Sequence, residues 1–189
     1  MKVFKTDISG VVIIEPAVYN DDRGYFFESF SEKKFIEEVC NTRFIQDNQS
    51  FSCRGVIRGL HYQAHPCAQS KLVRALTGRI LDVAVDIRRG SPTFGRHVAV
   101  ELSGDNHLQL FVPRGFAHGF SVLSDTAVVQ YKCDNYYSPA HERSIVFNDR
   151  ELGIDWKVDA ADIVVSEKDR LCRPLSEADL FDNETNYYL

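Results

Sequence analysis

The chain has 189 residues, 44% of them hydrophobic and 26% charged, which suits one soluble globular domain spanning 1–189 with a sizeable core. Against 27 Asp and Glu stand 22 Lys and Arg, a formal net charge of −5 that argues against gripping a nucleic-acid backbone but leaves room for a local basic pocket. The longest unbroken aliphatic run, Val11 to Ile14, is too short to span a bilayer, and Lys2, Lys5 and Asp7 interrupt any secretory apolar segment, so no membrane association is expected. Five scattered cysteines, Cys40, Cys53, Cys67, Cys133 and Cys172, form no CxxC pair; they read as free thiols of a reducing compartment, and a cytoplasmic location is expected.

In chain order, Ser29-Phe30-Ser31-Glu32 fits a capping box and predicts a helix that carries Phe35, Ile36 and Val39 on one side. A strand from about Val56 would show Arg58, Leu60 and Tyr62 on one face and Gly59, His61 and Gln63 on the other. Period-two alternation then groups Leu81, Val83, Val85 and Ile87, next Val98, Val100 and Leu102, next Leu108, Leu110 and Val112, and finally Ala127, Val129, Tyr131 and Cys133. Arg89-Gly90-Ser91-Pro92, Ser103-Gly104-Asp105-Asn106 and Pro113-Arg114-Gly115 supply turns between these runs. Helix-start patterns recur at Ser166-Glu167-Lys168-Asp169 and Ser176-Glu177-Ala178-Asp179. The fold predicted is mainly β, an antiparallel barrel or sandwich with a few short peripheral helices.

Polar residues concentrate at Gln46-Asp47-Asn48 and at Arg58-Gly59-Leu60-His61-Tyr62-Gln63, within sequence that otherwise reads as strand. Polar groups on an apolar β framework need partners, which favours a lined pocket over incidental surface residues. Pro113-Arg114-Gly115-Phe116-Ala117-His118 has the PxGxxH form of the second motif of cupins, small jelly-roll β-barrels. Metal-binding cupins carry an HxH pair followed by a Glu. Here Gln63 stands where the second His would be, no Glu lies between His61 and Arg79, and cationic Lys71 would repel a divalent ion. No metal is therefore expected, although His65 and Cys67 lie nearby.

What remains is an acid–base set. Imidazole titrates near neutral pH, which makes His61 the natural base, and such a base benefits from a carboxylate partner. Asp169 is one candidate, yet its local pattern is equally that of a residue closing the Ser166 cap. Tyr131 could donate a proton or merely pack, and Lys71, Arg23 and Arg58 could hold an oxyanion or phosphate. The residues alone suggest an isomerase or a small-molecule binder.

At these positions the sequence resembles the dTDP-4-dehydrorhamnose 3,5-epimerase family, cupin-type enzymes of deoxysugar biosynthesis. The resemblance is carried by Asp22-Arg23-Gly24-Tyr25-Phe26-Phe27-Glu28, Gln46-Asp47-Asn48-Gln49-Ser50, Arg58-Gly59-Leu60-His61-Tyr62-Gln63, Gln69-Ser70-Lys71-Leu72-Val73, Pro113-Arg114-Gly115-Phe116-Ala117-His118-Gly119-Phe120 and Tyr136-Tyr137-Ser138-Pro139. It runs in order from about Gly10 to Asp169. It implies a jelly-roll barrel that epimerises a dTDP-4-keto-6-deoxyhexose without metal or cofactor, with His61 as base, Asp169 as its partner, Tyr131 as acid and Lys71 at the enolate oxygen. By the same resemblance Arg23, Glu28, Gln46, Asn48, Arg58, His118, Glu142 and Lys168 would contact nucleotide, pyrophosphate or sugar, and the protein would be a homodimer, its N-terminal strand a plausible exchange element. Ser70 and Ser144 depart from expected glycines, and Cys67 and Cys133 are atypical. Alternatives are inversion of a single centre in another deoxysugar, a metal-dependent cupin oxygenase or isomerase, and a catalytically silent sugar-nucleotide binder. The tail from Leu175 to Leu189 carries no signal.

Overall fold

Alternating apolar residues organise most of the chain into strands that close on one another, as a computed structural model describing residues 1–182, Tyr187 and Tyr188 shows. The elements in order are β1 (Lys2–Lys5), β2 (Val12–Glu15), β3 (Tyr19–Asp21), β4 (Gly24–Phe26), α1 (Glu32–Glu38), β5 (Gln46–Cys53), β6 (Ile57–Gln63), β7 (Lys71–Thr77), β8 (Arg79–Asp86) and β9 (Arg88–Arg89). They continue with β10 (His97–Ser103), β11 (Gln109–Val112), β12 (Phe116–Val122), β13 (Thr126–Cys133), β14 (Glu142–Ser144), α2 (Glu167–Arg170) and β15 (Phe181–Asp182). A six-stranded sheet, β1-β2-β11-β7-β13-β5, faces a five-stranded one, β10-β8-β12-β6-β14, and both are antiparallel throughout. This is the expected jelly-roll barrel.

Three apolar layers hold it. Between the sheets lie Val73, Ala75, Ile80, Ala84, Leu102, Leu110, Val112, Phe116, Phe120, Val122, Ala127 and Val129. The predicted Leu81, Val83, Val85 face points the other way, into a second layer roofed by Ile145, Leu152, Trp156, Leu175 and Phe181 from the C-terminal third. Both faces of β8 are thus covered, and its inward Asp82 and Asp86 are fully buried. On the outside of the six-stranded sheet, Phe35 of α1 packs on Leu72 and Phe111.

Two helix expectations are corrected. The helix after Phe30 starts at Glu32 with Ser31 as N-cap and no side-chain capping bond, so the Ser29 box does not form. Ser176-Glu177-Ala178-Asp179 starts no α-helix; Leu175–Glu177 is a single 3-10 turn entered from Pro174.

A third correction matters for the site. Strict alternation would put Arg58 and His61 on opposite faces of β6. In the β6–β12 ladder His118 pairs with His61 and Phe120 with Arg58, so Gly59 and Leu60 together oppose the single Gly119. This bulge shifts the phase by one residue. Leu60 and Tyr62 enter the outer layer, while Arg58 turns to β5, where Nε donates to Ser52 Oγ at 3.0 Å. The bulge depends on bare backbones. Gly59 has φ +135°, and a Cβ there would stand 2.5 Å from Gly119 Cα; a Cβ on Gly119 would stand 2.7 Å from the Arg58 carbonyl oxygen. Gly59→Ala should therefore lower the unfolding free energy by about 2–5 kcal/mol, the combined cost of a left-handed L-residue and an overpacked contact. Urea denaturation checks this; a midpoint equal to that of the parent would mean the bulge tolerates a side chain.

Candidate active site

Strands of both sheets open on one cavity of about 340 Å³, lined by Gln46 and Asn48 of β5, His61 and Gln63 of β6, Gln69, Lys71 of β7, Tyr131 of β13, Tyr137 and Glu142 of β14. The ladder explains the convergence. Tyr131 pairs with Asn48 and Cys133 with both Gln46 and Lys71, so these residues share the inward face at one end of the six-stranded sheet.

His61 Nε2 lies 2.7 Å from Asp169 Oδ1. With Nε2–H donating to the carboxylate, Nδ1 keeps its lone pair and can take a proton. Asp169 is only 4% exposed. Burial pushes its carboxyl up, but the His61 bond, the Ser166 hydroxyl and the Gly59 backbone amide outweigh this and hold it below the usual carboxylate range. Both sequence readings of Asp169 hold at once: its backbone N–H donates to Ser166 Oγ at 3.1 Å, closing the N-cap of α2, while its side chain serves His61.

Lys71 is half-buried, its Nζ 5.8 Å from the centre of the Tyr131 ring. Burial pulls the ammonium down, opposed by the carboxylates of Asp82 and Glu142. The Tyr131 phenol is pushed up, first by burial, so it holds its proton at neutral pH. An imidazole backed by a carboxylate, a lysine and a protonated phenol therefore border one space. Around the rim, Lys168 Nζ and Tyr137 Oη donate to Glu142 Oε2 at 2.6 and 2.9 Å. Gln46 Nε2 donates to Asn48 Oδ1 at 3.1 Å, and Asn48 Nδ2 to Cys133 Sγ at 3.6 Å. Burial pushes the Cys133 thiol up to about 11, so it stays uncharged beside Asn48.

Three residues expected to touch substrate lie elsewhere in this chain. His118 is buried behind the cavity, Nε2 2.8 Å from Asp82 Oδ1, and burial holds its pKa down. Arg23 sits on the exposed β3–β4 hairpin, paired with Asp21, its side chain 90% exposed. Glu28 pairs with Lys34 at 2.8 Å beside α1. The sequence reading missed Asp82, a fully buried carboxylate whose Oδ2 has no hydrogen-bond partner among the described residues. The signal was an Asp in the even phase of a strand whose odd phase is aliphatic.

A cupin metal centre does not fit these residues. Gln63 is spent on the loops, its Nε2 donating to the Cys67 and Tyr136 carbonyls and its Oε1 accepting from the Ser138 amide. Among the described residues no three His, Cys, Asp or Glu side chains converge.

Comparison with known proteins agrees with this geometry. The family model described as dTDP-4-dehydrorhamnose 3,5-epimerase matches residues 5–177. The chain is 52% identical over 183 residues to the dTDP-4-dehydrorhamnose 3,5-epimerase of Pseudomonas aeruginosa, covering 96% of this chain and 99% of that one. The crystal structure of the enzyme of that name from Elizabethkingia anophelis superposes with a TM-score of 0.90 at 53% identity, over 94% and 97% of the two chains. That of dTDP-6-deoxy-D-glucose-3,5-epimerase from Legionella pneumophila, in complex with dTDP-4-keto-L-rhamnose, gives 0.94 at 47% identity over 97% and 99%. The chain belongs to the dTDP-4-dehydrorhamnose 3,5-epimerase family of isomerases.

Proposed function

We propose that the protein epimerises C3 and C5 of dTDP-4-dehydro-6-deoxy-D-glucose to give dTDP-4-dehydro-L-rhamnose. The observation that carries this reading is the convergence of the His61–Asp169 pair, Lys71 and Tyr131 on one cavity. Protons on C3 and C5 both lie alpha to the C4 ketone. His61 Nδ1 takes such a proton and the C–H electron pair moves into an enolate. The Lys71 ammonium stabilises the negative oxygen where it develops, and Asp169 balances the imidazolium. Tyr131 returns a proton from the opposite face, which inverts the carbon. Nothing is oxidised or reduced, so one ketone serves both centres. Gln46, Asn48, Arg58, Glu142 and Lys168 form the polar rim that would hold sugar and pyrophosphate, the guanidinium suiting phosphate bidentately.

We also infer a homodimer. The outer face of the six-stranded sheet leaves Phe51 61% exposed, and two strands away on that face Arg74, stacked 5.5 Å over the Phe27 ring, has a buried Nε and Nη1 with no hydrogen-bond partner among the described residues. Two buried N–H groups without an acceptor are costly, and a second copy laid on this face would supply one. It would equally bring the aromatic β3–β4 hairpin, Tyr25 and Phe26 with Arg23, and the following Glu28, to a neighbouring site, which accounts for their distance from the cavity of their own chain.

Turnover in D2O should place deuterium at both C3 and C5 of the product, read by mass spectrometry and NMR; label at one carbon would assign the chain to a single-centre epimerase. His61→Ala should lower kcat by at least about 10²–10⁴-fold, the usual share of a general base, and retained turnover would remove His61 from that role. Phe51→Asp should convert the dimer to monomer in analytical ultracentrifugation and raise KM for the sugar nucleotide at least about tenfold, about 1.4 kcal/mol. A monomeric parent, or a monomeric variant with unchanged KM, would overturn the shared site.

A further inference from the structure

The geometry points to Tyr188 as a positioning residue for Lys71: its hydroxyl ties the residue before Lys71 to the turn that leads into His118, and so sets how β7 delivers Lys71 to the cavity. Ser70 immediately precedes β7 and is fully buried. Its Oγ lies 2.9 Å from Tyr188 Oη, and the Arg114 backbone N–H donates to the same oxygen at 3.3 Å. Arg114 belongs to the Pro113-Arg114-Gly115 turn between β11 and β12. One phenol thus bridges the start of β7 in the six-stranded sheet to the turn entering β12, the strand of the five-stranded sheet that bears His118.

The surroundings make this bridge a built joint. The Arg114 guanidinium stacks over the Tyr188 ring at 5.2 Å, donates from Nη1 to the Tyr187 carbonyl, and donates from Nε to Asp134 Oδ2 at 3.1 Å. Asp134 follows Cys133, the ladder partner of Lys71, and its Oδ1 accepts the Ser70 amide at 2.6 Å while Thr42 Oγ1 donates to Oδ2 at 2.9 Å. Tyr187 is fixed separately, its ring edge-on to Phe181 at 4.8 Å. The C-terminal tyrosines therefore close the barrel end at which Lys71 and Cys133 pair. A hydroxyl on residue 70 is what makes this contact, so the departure from the glycine expected there acquires a purpose: a glycine would remove it.

The kinetic part of this inference rests on the epimerase reading, and the experiment separates the two. Tyr188→Phe removes one oxygen, and Ser70→Ala removes its partner. Each should lower kcat about threefold to tenfold, the worth of one hydrogen bond, with KM within about twofold of the parent. The double variant should be no worse than either single one, because both delete the same contact. Hydrogen exchange at the amides from Lys71 to Val73, measured on the intact protein without substrate, should speed up by a similar factor. Unchanged exchange in Tyr188→Phe would overturn the joint. Faster exchange with unchanged kcat, additive losses in the double variant, or a change confined to the unfolding midpoint would overturn its role in positioning Lys71. A parent protein that fails to turn over the dTDP-4-keto sugar would sink the epimerase reading while the exchange result still decides the contact.

Discussion

The close approach of β6 and β12 at Gly59 and Gly119 governs everything built above it. Two backbones meet there with no side chain between them, and the extra residue on β6 resets the phase of that strand. Because successive side chains point to opposite faces, one inserted residue exchanges inside for outside from that point on. Leu60 and Tyr62 consequently anchor the C-terminal cover, while Arg58 turns to Ser52 of β5 and His61 lines the cavity. The Gly59 amide also donates toward Asp169, so the same bulge helps to fix the carboxylate bonded to His61.

Around that joint the chain solves a charge problem. A jelly-roll interior is narrow, yet this one holds Asp82, Asp86, Asp134 and Asp169 at 8% exposure or less. Each carries a specific cationic or imidazole partner: His118, Arg88, Arg114 and His61, at 2.7 to 3.1 Å. Buried pairs of this kind add little net stability, since desolvation offsets most of the attraction, but breaking one is costly. Their value here is directional. Asp86, gripped by Arg88, Ser91 and Thr93, holds the turn after β8; Asp134 holds the ends of β7 and β13; Asp169 orients the ring of His61. The acidic sum of the whole chain thus says little about the cavity, which Lys71 lines and whose Glu142 is paired with Lys168.

Much of this was legible in the sequence because strands announce themselves by period. The runs around Leu81, Val98, Leu110 and Val129 became β8, β10, β11 and β13 nearly as drawn, and Tyr131 took the inward face its phase required. Periodicity fails where the backbone departs from it, so Arg58 was assigned the wrong face across a bulge that no local pattern marks. It also says nothing about depth. His118 has the inward phase of a ligand contact, yet Asp82 draws it behind the wall. Arg23 and Glu28 show a different limit: their motif is clear in the sequence, but within the chain they pair with Asp21 and Lys34 away from the cavity. The capping box at Ser29 failed for a simpler reason, since α1 is positioned by Phe35 packing on Phe111 and starts where that contact requires.

The thiols give this architecture an unplanned reporter. Cys133 and Cys40 both rise to about 11 on burial, so at neutral pH only about one molecule in ten thousand carries either as the reactive thiolate. Cys53 ends β5 in the open, two residues beyond the exposed ring of Phe51. Alkylating reagents and mild oxidants should therefore meet the rim of the sheet long before either buried thiol. A fluorophore attached at Cys53 would sit on the outer face of the six-stranded sheet, away from the cavity.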